Sequence, residues 1–255
     1  MWGLIKFLIY VIINLEEKHM QRVLSTLRKA VQKYGLIEEG DKIAVGVSGG
    51  KDSLVLLKAL KMYQRFSPVK FDIVAITIDL YSGKENYSHL KDFCDSLDVE
   101  FVVEQTDINE VVFNLRKESN PCSLCAKMRR GAINSVASRL GCNKLALGHH
   151  MQDVIETFFL SMLYEGRLST MKPKSYMSNS KITLIRPLFL TEEKVILNAS
   201  KDMPIKKSKC PADKDSKRQD VEKIINELNI KVPNSKKRIE QAVLSSERYN
   251  LLDKE

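Results

Sequence analysis

The run Ser48-Gly49-Gly50-Lys51-Asp52-Ser53 stands between two strongly patterned segments. Before it, residues 43–47 (Ile-Ala-Val-Gly-Val) read as a short buried strand. After it, residues 54–63 carry apolar side chains at helical spacing. A strand that feeds a glycine-rich turn and then a helix restricts the chain to an α/β arrangement with an anion site at the end of that strand. Glycines let the backbone approach phosphate oxygens, and a helix N-terminus offers unpaired N–H groups and a partial positive charge. Ser48 and Ser53 add hydroxyl donors, Lys51 adds a cation, and Asp52 is placed to orient a magnesium ion. The spacing is not Gly-x-x-x-x-Gly-Lys-Ser/Thr, so the loop is not a Walker A motif.

The alternation continues along the chain. Strands are expected at 71–80, 99–103, 144–148 and 182–185, and helices at 23–34, 88–97, 111–117, 126–140 and 153–163. Apolar strands separated by helices predict a doubly wound, mostly parallel sheet with helices on both faces. A chain of 255 residues that is 44% hydrophobic can fill such a core. The second strand ends at Ile78-Asp79-Leu80, where a doubly wound sheet places an adenosine against its carboxyl edge. Residues 20–200 are expected to form this domain, and residues 201–255 a basic loop and C-terminal helices.

Residues 4–13 are apolar except for Lys6. They are too few for a membrane span, which needs roughly 20 apolar residues, and no Ala-x-Ala-like cleavage site follows. The expectation is a translation start at Met20, with residues 1–19 an extension, and a cytoplasmic protein with no stable membrane association.

Charge is uneven. Residues 1–115 hold 14 Lys/Arg against 16 Asp/Glu, and residues 116–255 hold 27 against 16. A basic half points to a polyanionic partner, RNA first among the candidates. The five cysteines, Cys94, Cys122, Cys125, Cys142 and Cys210, are too unevenly spaced for a secreted disulfide framework. The pair Cys122-x-x-Cys125 suits redox, zinc or iron–sulfur chemistry. Cys142, beside Gly141, reads as structural.

Further motifs then occur in order: Cys122-x-x-Cys125-x-x-x-Arg129-Arg130, Gly148-His149-His150, Asp153, Glu156-Thr157-Phe158, Gly166-Arg167, Pro173-Lys174, Arg186-Pro187 and Cys210-Pro211. With the loop at 48–53, the chain resembles the tRNA 2-thiocytidine synthetase family of PP-loop ATPases (adenine-nucleotide α-hydrolase-like fold) over roughly residues 42–218. It departs from the family at Gln152, where an aspartate is common, and carries one cysteine rather than two in the C-terminal motif. The zinc-ribbon cysteines of the related 2-thiouridine synthetases are missing.

The resemblance implies ATP, Mg²⁺ and a 4Fe–4S cluster held by Cys122, Cys125 and Cys210, its fourth iron open to sulfur. It implies ATP contacts from Ser48, Gly49, Gly50, Lys51, Asp52, Ser53, Ile78, Asp79, Gly148 and His149. The C2 carbonyl oxygen of a tRNA cytidine would be adenylated and then replaced by sulfur. Lys51, Arg129 and Asp153 are the expected catalytic residues: Arg129 to stabilise the adenylate, Asp153 to polarise the nucleophile or hold Mg²⁺. Arg130, Arg167, Lys174, Lys207, Lys209 and Arg218 are expected to face tRNA phosphate, as are the neighbouring Lys206, Lys214 and Lys217. A cysteine desulfurase or free sulfide is the expected sulfur donor, and a homodimer is allowed for. Two other readings stay open: a cluster-independent ligase of the tRNA lysidine synthetase type, and sulfur insertion into a non-tRNA substrate. A non-catalytic RNA-binding or redox-sensing protein is a third, disfavoured by the intact loop.

Overall fold

The computed structural model describes residues 2–116, 121–206 and 217–245, with side chains from Lys18 onward. Cys210, Lys207, Lys209 and Lys214 lie outside the described residues. The strands are β1 (Asp41–Gly46), β2 (Phe71–Asp79), β3 (Glu100–Gln105), β4 (Lys144–Ala146), β5 (Lys174–Met177) and β6 (Ile182–Ile185). The helices are α1 (Trp2–Tyr34), α2 (Lys51–Gln64), α3 (Ser88–Ser96), α4 (Pro121–Arg139), α5 (Met151–Glu165), α6 (Glu193–Ala199), α7 (Lys217–Lys231) and α8 (Ser235–Leu244). The sheet order is β3-β2-β1-β4-β6-β5, parallel throughout except for β5, which runs antiparallel to β6.

Alternation along β1 divides the core. Ile43, Val45 and Val47 turn to one face, where they meet residues of α1, α2, α3 and α6. Ala44 turns to the other, with Val136 and Ala137 of α4. Both faces are covered, as the continuous apolar strands require. The chain order reverses on either side of β1, so the crevice beyond the carboxyl ends of β1 and β4 is the topological switch point.

At the start of β1, Lys144 Nζ lies 2.6 Å from Asp41 Oδ2, both side chains only 3% exposed. Asn143 Nδ2 donates to Asp41 Oδ1 at 2.7 Å. Lys144 also reaches Glu38 at 3.1 Å, and Lys174 donates to the Gly35 carbonyl at 2.7 Å. A buried pair of this kind survives because hydrogen bonds satisfy the remaining lone pairs.

Several expectations are corrected. The first helix extends back to Trp2 instead of beginning near residue 23. α4 starts at Pro121 rather than residue 126, so Cys122 and Cys125 lie within its first turns. The segment expected as a helix at 111–117 is a π-helical turn, Glu110–Leu115. β5 was not foreseen, being a four-residue edge strand without an apolar run.

The chain groups into two units, residues 1–150 with 173–209, and residues 151–172 with 210–255. The first holds the sheet. In the second, α5 packs on α7 and α8, burying Val154, Ile155, Phe159, Val221 and Ile225. Residues 151–172 group with the C-terminal helices because these meet the apolar face of α5. No described helix is long and apolar enough to cross a membrane.

Candidate nucleotide and cysteine site

The Thr77 hydroxyl donates to the Val47 carbonyl at 2.7 Å, fixing the end of β1. The loop then closes on itself. Ser48 N donates to Ser53 Oγ at 3.2 Å, and Ser53 Oγ donates to the Gly50 carbonyl at 2.9 Å. Gly49 has φ +80°, a conformation that favours glycine. Gly50 is the N-cap of α2 and has no side chain to occupy the first N–H groups of the helix. Those donors are left for an anion.

Lys51 Nζ sits 3.2 Å from Asp52 Oδ1 and 3.3 Å from Glu193 Oε1, at the start of α6. Burial works against its charge, but these carboxylates outweigh it and hold its pKa above the ordinary lysine value. Asp52 Oδ1 is also 3.4 Å from His150 Nε2. Burial opposes the Asp52 charge, yet His150 and Lys51 prevail and keep its carboxyl below the usual carboxylate range. Oδ1 is buried and lies at ion-pair distances, but accepts no well-aligned hydrogen bond. An ionised oxygen with unused acceptor capacity beside a phosphate loop suits a hard cation such as Mg²⁺.

The exit of β4 completes this edge. His149 Nδ1 accepts from Arg186 Nε at 3.2 Å, and Gly148 lies against the backbone of Asp52. Ile78 packs partly buried on the α4 face of the sheet. Asp79 is fully buried, and its carboxylate serves the backbone of its own loop. Oδ1 accepts from Tyr81 N and from the Tyr87 hydroxyl, each at 3.0 Å, and Oδ2 accepts from Gly83 N. Burial and the hydrogen bond to Asp79 push the Tyr87 phenol well above its ordinary pKa. Asp79 therefore shapes the segment where an adenosine would lie; its carboxylate is already engaged.

α4 carries the cysteines. Cys122, Cys125, Arg129, Ile133 and Val136 share one stripe by helical phase. Val136 is buried under the sheet, and a β-carbon added at Gly46 would meet Ile133 Cδ1 at 3.0 Å. The stripe is thus anchored at the end of β1 and continues outward past the carboxyl edge. At 1.5 Å per residue, Arg129 is about 6 Å, Cys125 about 12 Å and Cys122 about 16 Å along the axis beyond Ile133. Cys122 is exposed and Cys125 half-buried. Two thiols one turn apart on one face fit a shared metal centre. Cys94 and Cys142 are buried, and burial raises both thiol pKa values, Cys94 to about 11, as suits structural positions.

The remaining candidates separate by surroundings. Asp153 lies in the second unit, paired with Arg218 at 2.7 Å; Arg218 also reaches Glu156 at 3.1 Å. Arg167 pairs with Glu165 at 2.6 Å, and Lys174 with Glu38 at 3.2 Å. Lys206 reaches Glu85, and Lys217 sits over the Tyr164 ring. Arg130 is exposed on α4. Glu193 and Glu85 were absent from the sequence-based expectations, and no local pattern marks them; His150 stood there only within the Gly148-His149-His150 motif, and Lys206 only as a residue facing tRNA.

A parallel sheet with a glycine-rich anion loop at its switch point, an ionised carboxylate beside that loop and a thiol-bearing helix above it defines an ATP-using enzyme of the PP-loop class. Residues 16–220 match the family described as PP-loop domain. The chain is 37% identical over 250 residues to the tRNA-cytidine(32) 2-sulfurtransferase of Geobacter metallireducens, covering 94% of this chain and 95% of that one. It is 36% identical over 242 residues to the enzyme of the same name from Pelobacter propionicus, covering 92% and 89%. Among solved structures, the U34-tRNA thiolase NcsA from Methanococcus maripaludis with its 4Fe-4S cluster superposes with a TM-score of 0.73 at 25% identity, covering 90% of this chain and 78% of that one. The chain belongs to the tRNA-cytidine(32) 2-sulfurtransferase family of PP-loop proteins.

Proposed function

We propose that this protein uses ATP to replace the C2 oxygen of a tRNA cytidine, at position 32, with sulfur. The reading is carried by the stripe on α4. It puts Cys122, Cys125 and Arg129 in line with Ile133, which rests on the strand that feeds the phosphate loop. A cluster-independent ligase has no use for such thiols, and the named relatives are sulfurtransferases.

The cytidine C2 oxygen attacks the α-phosphorus of ATP, and the bond from that phosphorus to the β-phosphate bridge oxygen breaks. Pyrophosphate leaves onto the loop, where Ser48, Ser53 and the first N–H groups of α2 accept its charge. Lys51 exchanges its Glu193 contact for phosphate. Asp52, ionised, would hold Mg²⁺, which would offset phosphate charge. Arg129 offsets charge on the adenylate. Sulfur at the sulfide level then adds at C2, and the C2–O bond breaks with AMP as leaving group, so no external reductant is consumed. A 4Fe–4S cluster, held by Cys122, Cys125 and Cys210, would supply an iron at which that sulfur is held and kept nucleophilic. Arg130 is positioned for tRNA phosphate. The sulfur comes from free sulfide or a cysteine desulfurase, in the cytoplasm.

The test is anaerobic purification followed by incubation with unmodified tRNA, Mg²⁺, ATP and sulfide. Nucleoside mass spectrometry is expected to find 2-thiocytidine, with AMP and pyrophosphate formed in step. Iron and acid-labile sulfide should be present in the wild type and sharply reduced in Cys122→Ser. A folded, metal-free wild type that thiolates tRNA, or lysine in place of sulfur on the product, overturns the reading.

A further inference from the structure

Lys206 is the last described residue before the segment that holds Cys210, and the sequence groups it with lysines facing tRNA. The structure turns it inward. Its main-chain N–H donates to the Gly49 carbonyl at 3.0 Å. Its ammonium donates to Glu85 Oε2 at 2.8 Å and lies 3.5 Å from the Asn86 carbonyl.

The bond to Gly49 has a consequence one atom pair away. Gly49 C=O and Gly50 N–H belong to one peptide plane, and in a trans peptide they point to opposite sides of the chain. Holding the carbonyl toward Lys206 therefore aims the Gly50 N–H the other way. There it lies 3.4 Å from Ser48 Oγ, which is itself 3.3 Å from Ser53 Oγ. This is the side where the loop gathers its phosphate donors. Glycine at positive φ has little intrinsic resistance to rotation of that plane. A rotated plane would present a carbonyl oxygen to the phosphate in place of an N–H.

The anchor of Lys206 is itself fixed. Glu85 and Asn86 lie on the β2–α3 loop, which the buried Asp79 carboxylate ties through Tyr81 N, Gly83 N and Tyr87. Thr106 adds hydrogen bonds to the Asp79 carbonyl from its N–H at 2.9 Å and its hydroxyl at 2.7 Å. We infer that Lys206 is a positioning residue for the ATP phosphates: its main chain sets the Gly49–Gly50 peptide, and its side chain on Glu85 keeps it seated there. The inference rests on the reading of residues 48–53 as the ATP site.

Binding of Mg·ATP and, separately, of tRNA to the full-length protein tests it, using wild type, Lys206→Ala, Lys206→Arg, Glu85→Gln and the Lys206→Ala/Glu85→Gln double variant. Lys206→Ala is expected to weaken ATP binding about tenfold, the effect of one charge-assisted hydrogen bond. Its tRNA affinity should stay at the wild-type value, and the variant should remain folded at the assay temperature. Lys206→Arg restores ATP affinity, Glu85→Gln shares the loss, and the double variant is no worse than Lys206→Ala because both act through one contact. Should Lys206→Ala fail to fold, Glu85→Gln carries the test alone. Unchanged ATP affinity in a folded variant, or a loss confined to tRNA, overturns the inference. A wild type that does not bind Mg·ATP overturns the site itself.

Discussion

Gly148 lies against the backbone of Asp52 so closely that a β-carbon would stand 2.9 Å from both the carbonyl carbon and the carbonyl oxygen of Asp52. It would stand 3.1 Å from Ser53 N. Backbone cannot swing aside as a side-chain tip can, so the exit of β4 and the first turn of α2 are held in one fixed relation. That relation also sets His150 beside Asp52. Gly148→Ala should push the first turn of α2 away, destabilising the fold by about 1–3 kcal/mol as overpacking does. ATP affinity should fall with it. Gly131, in the middle of α4, is the control. Nothing lies within 4 Å of its added β-carbon, and its substitution by alanine should stabilise the helix by roughly 0.5–1 kcal/mol. Melting curves and ATP titrations of the two variants check the contrast.

Arg129 and Arg130 are neighbours in sequence and diverge by about 100° around α4. Arg129 shares the stripe of Cys122 and Cys125, and Arg130 faces away from it. Arg129→Ala is expected to lower kcat about a hundredfold, the scale of one lost donor to developing charge. Its tRNA affinity should change little. Arg130→Ala should leave kcat near wild type, weaken tRNA binding across sequences and reduce the salt slope by about one. Single-turnover thiolation and salt-dependent filter binding separate the two.

The loop at 48–53 was legible because its chemistry is local: strand, turn donors and helix start are contiguous. The sheet was legible for the same reason, through apolar runs of strand length. The start of α4 was not, since Leu124 and Met128 alone make too short an apolar period before Ile133. Nor could charge counting tell an exposed Arg130 from a Lys206 held by Glu85 or an Arg218 held by Asp153 and Glu156. Those pairings join residues far apart in the chain. Asp79 was placed at the right strand end, but only the fold reveals that its carboxylate is occupied by backbone donors.

Lys144 and Asp41 form the buried ion pair beneath β1 and β4. Lys144→Met removes the cation and leaves Asp41 charged in the interior, where Asn143 and the Glu38 N–H offer hydrogen bonds but no countercharge. The expected loss is about 3–5 kcal/mol. Adding Asp41→Leu should recover much of it, because an apolar pair of similar volume needs no desolvation of charge. Urea unfolding of the single and double variants measures this. ATP affinity of the folded fraction should be unchanged, as the pair lies at the amino end of β1, away from the loop.

In the second unit, Arg218 lies 2.7 Å from Asp153 and 3.1 Å from Glu156, and Gln152 donates to Glu156 at 2.9 Å. Burial raises the Glu156 pKa, against the lowering effects of Gln152 and Arg218. A carboxyl whose folded pKa is raised holds its proton more tightly in the folded state, so it adds stability as pH falls toward and below that pKa. Above it, the buried charge is a cost that Arg218 partly offsets. Arg218→Ala removes this offset, leaves two like charges one turn apart and raises the Glu156 pKa further. The expected loss at pH 7.5 is about 1–2 kcal/mol, between the values for exposed and buried pairs, because the guanidinium is itself half-exposed. The difference from wild type should shrink as pH is lowered toward 5, because a carboxyl of raised pKa takes up its proton earlier and then needs no cation. Urea unfolding at both pH values, followed by a probe in α5 or α7, reads the effect. A deficit that stays constant or grows toward pH 5 would show that Arg218 stabilises the helices by packing and not by pairing with Glu156.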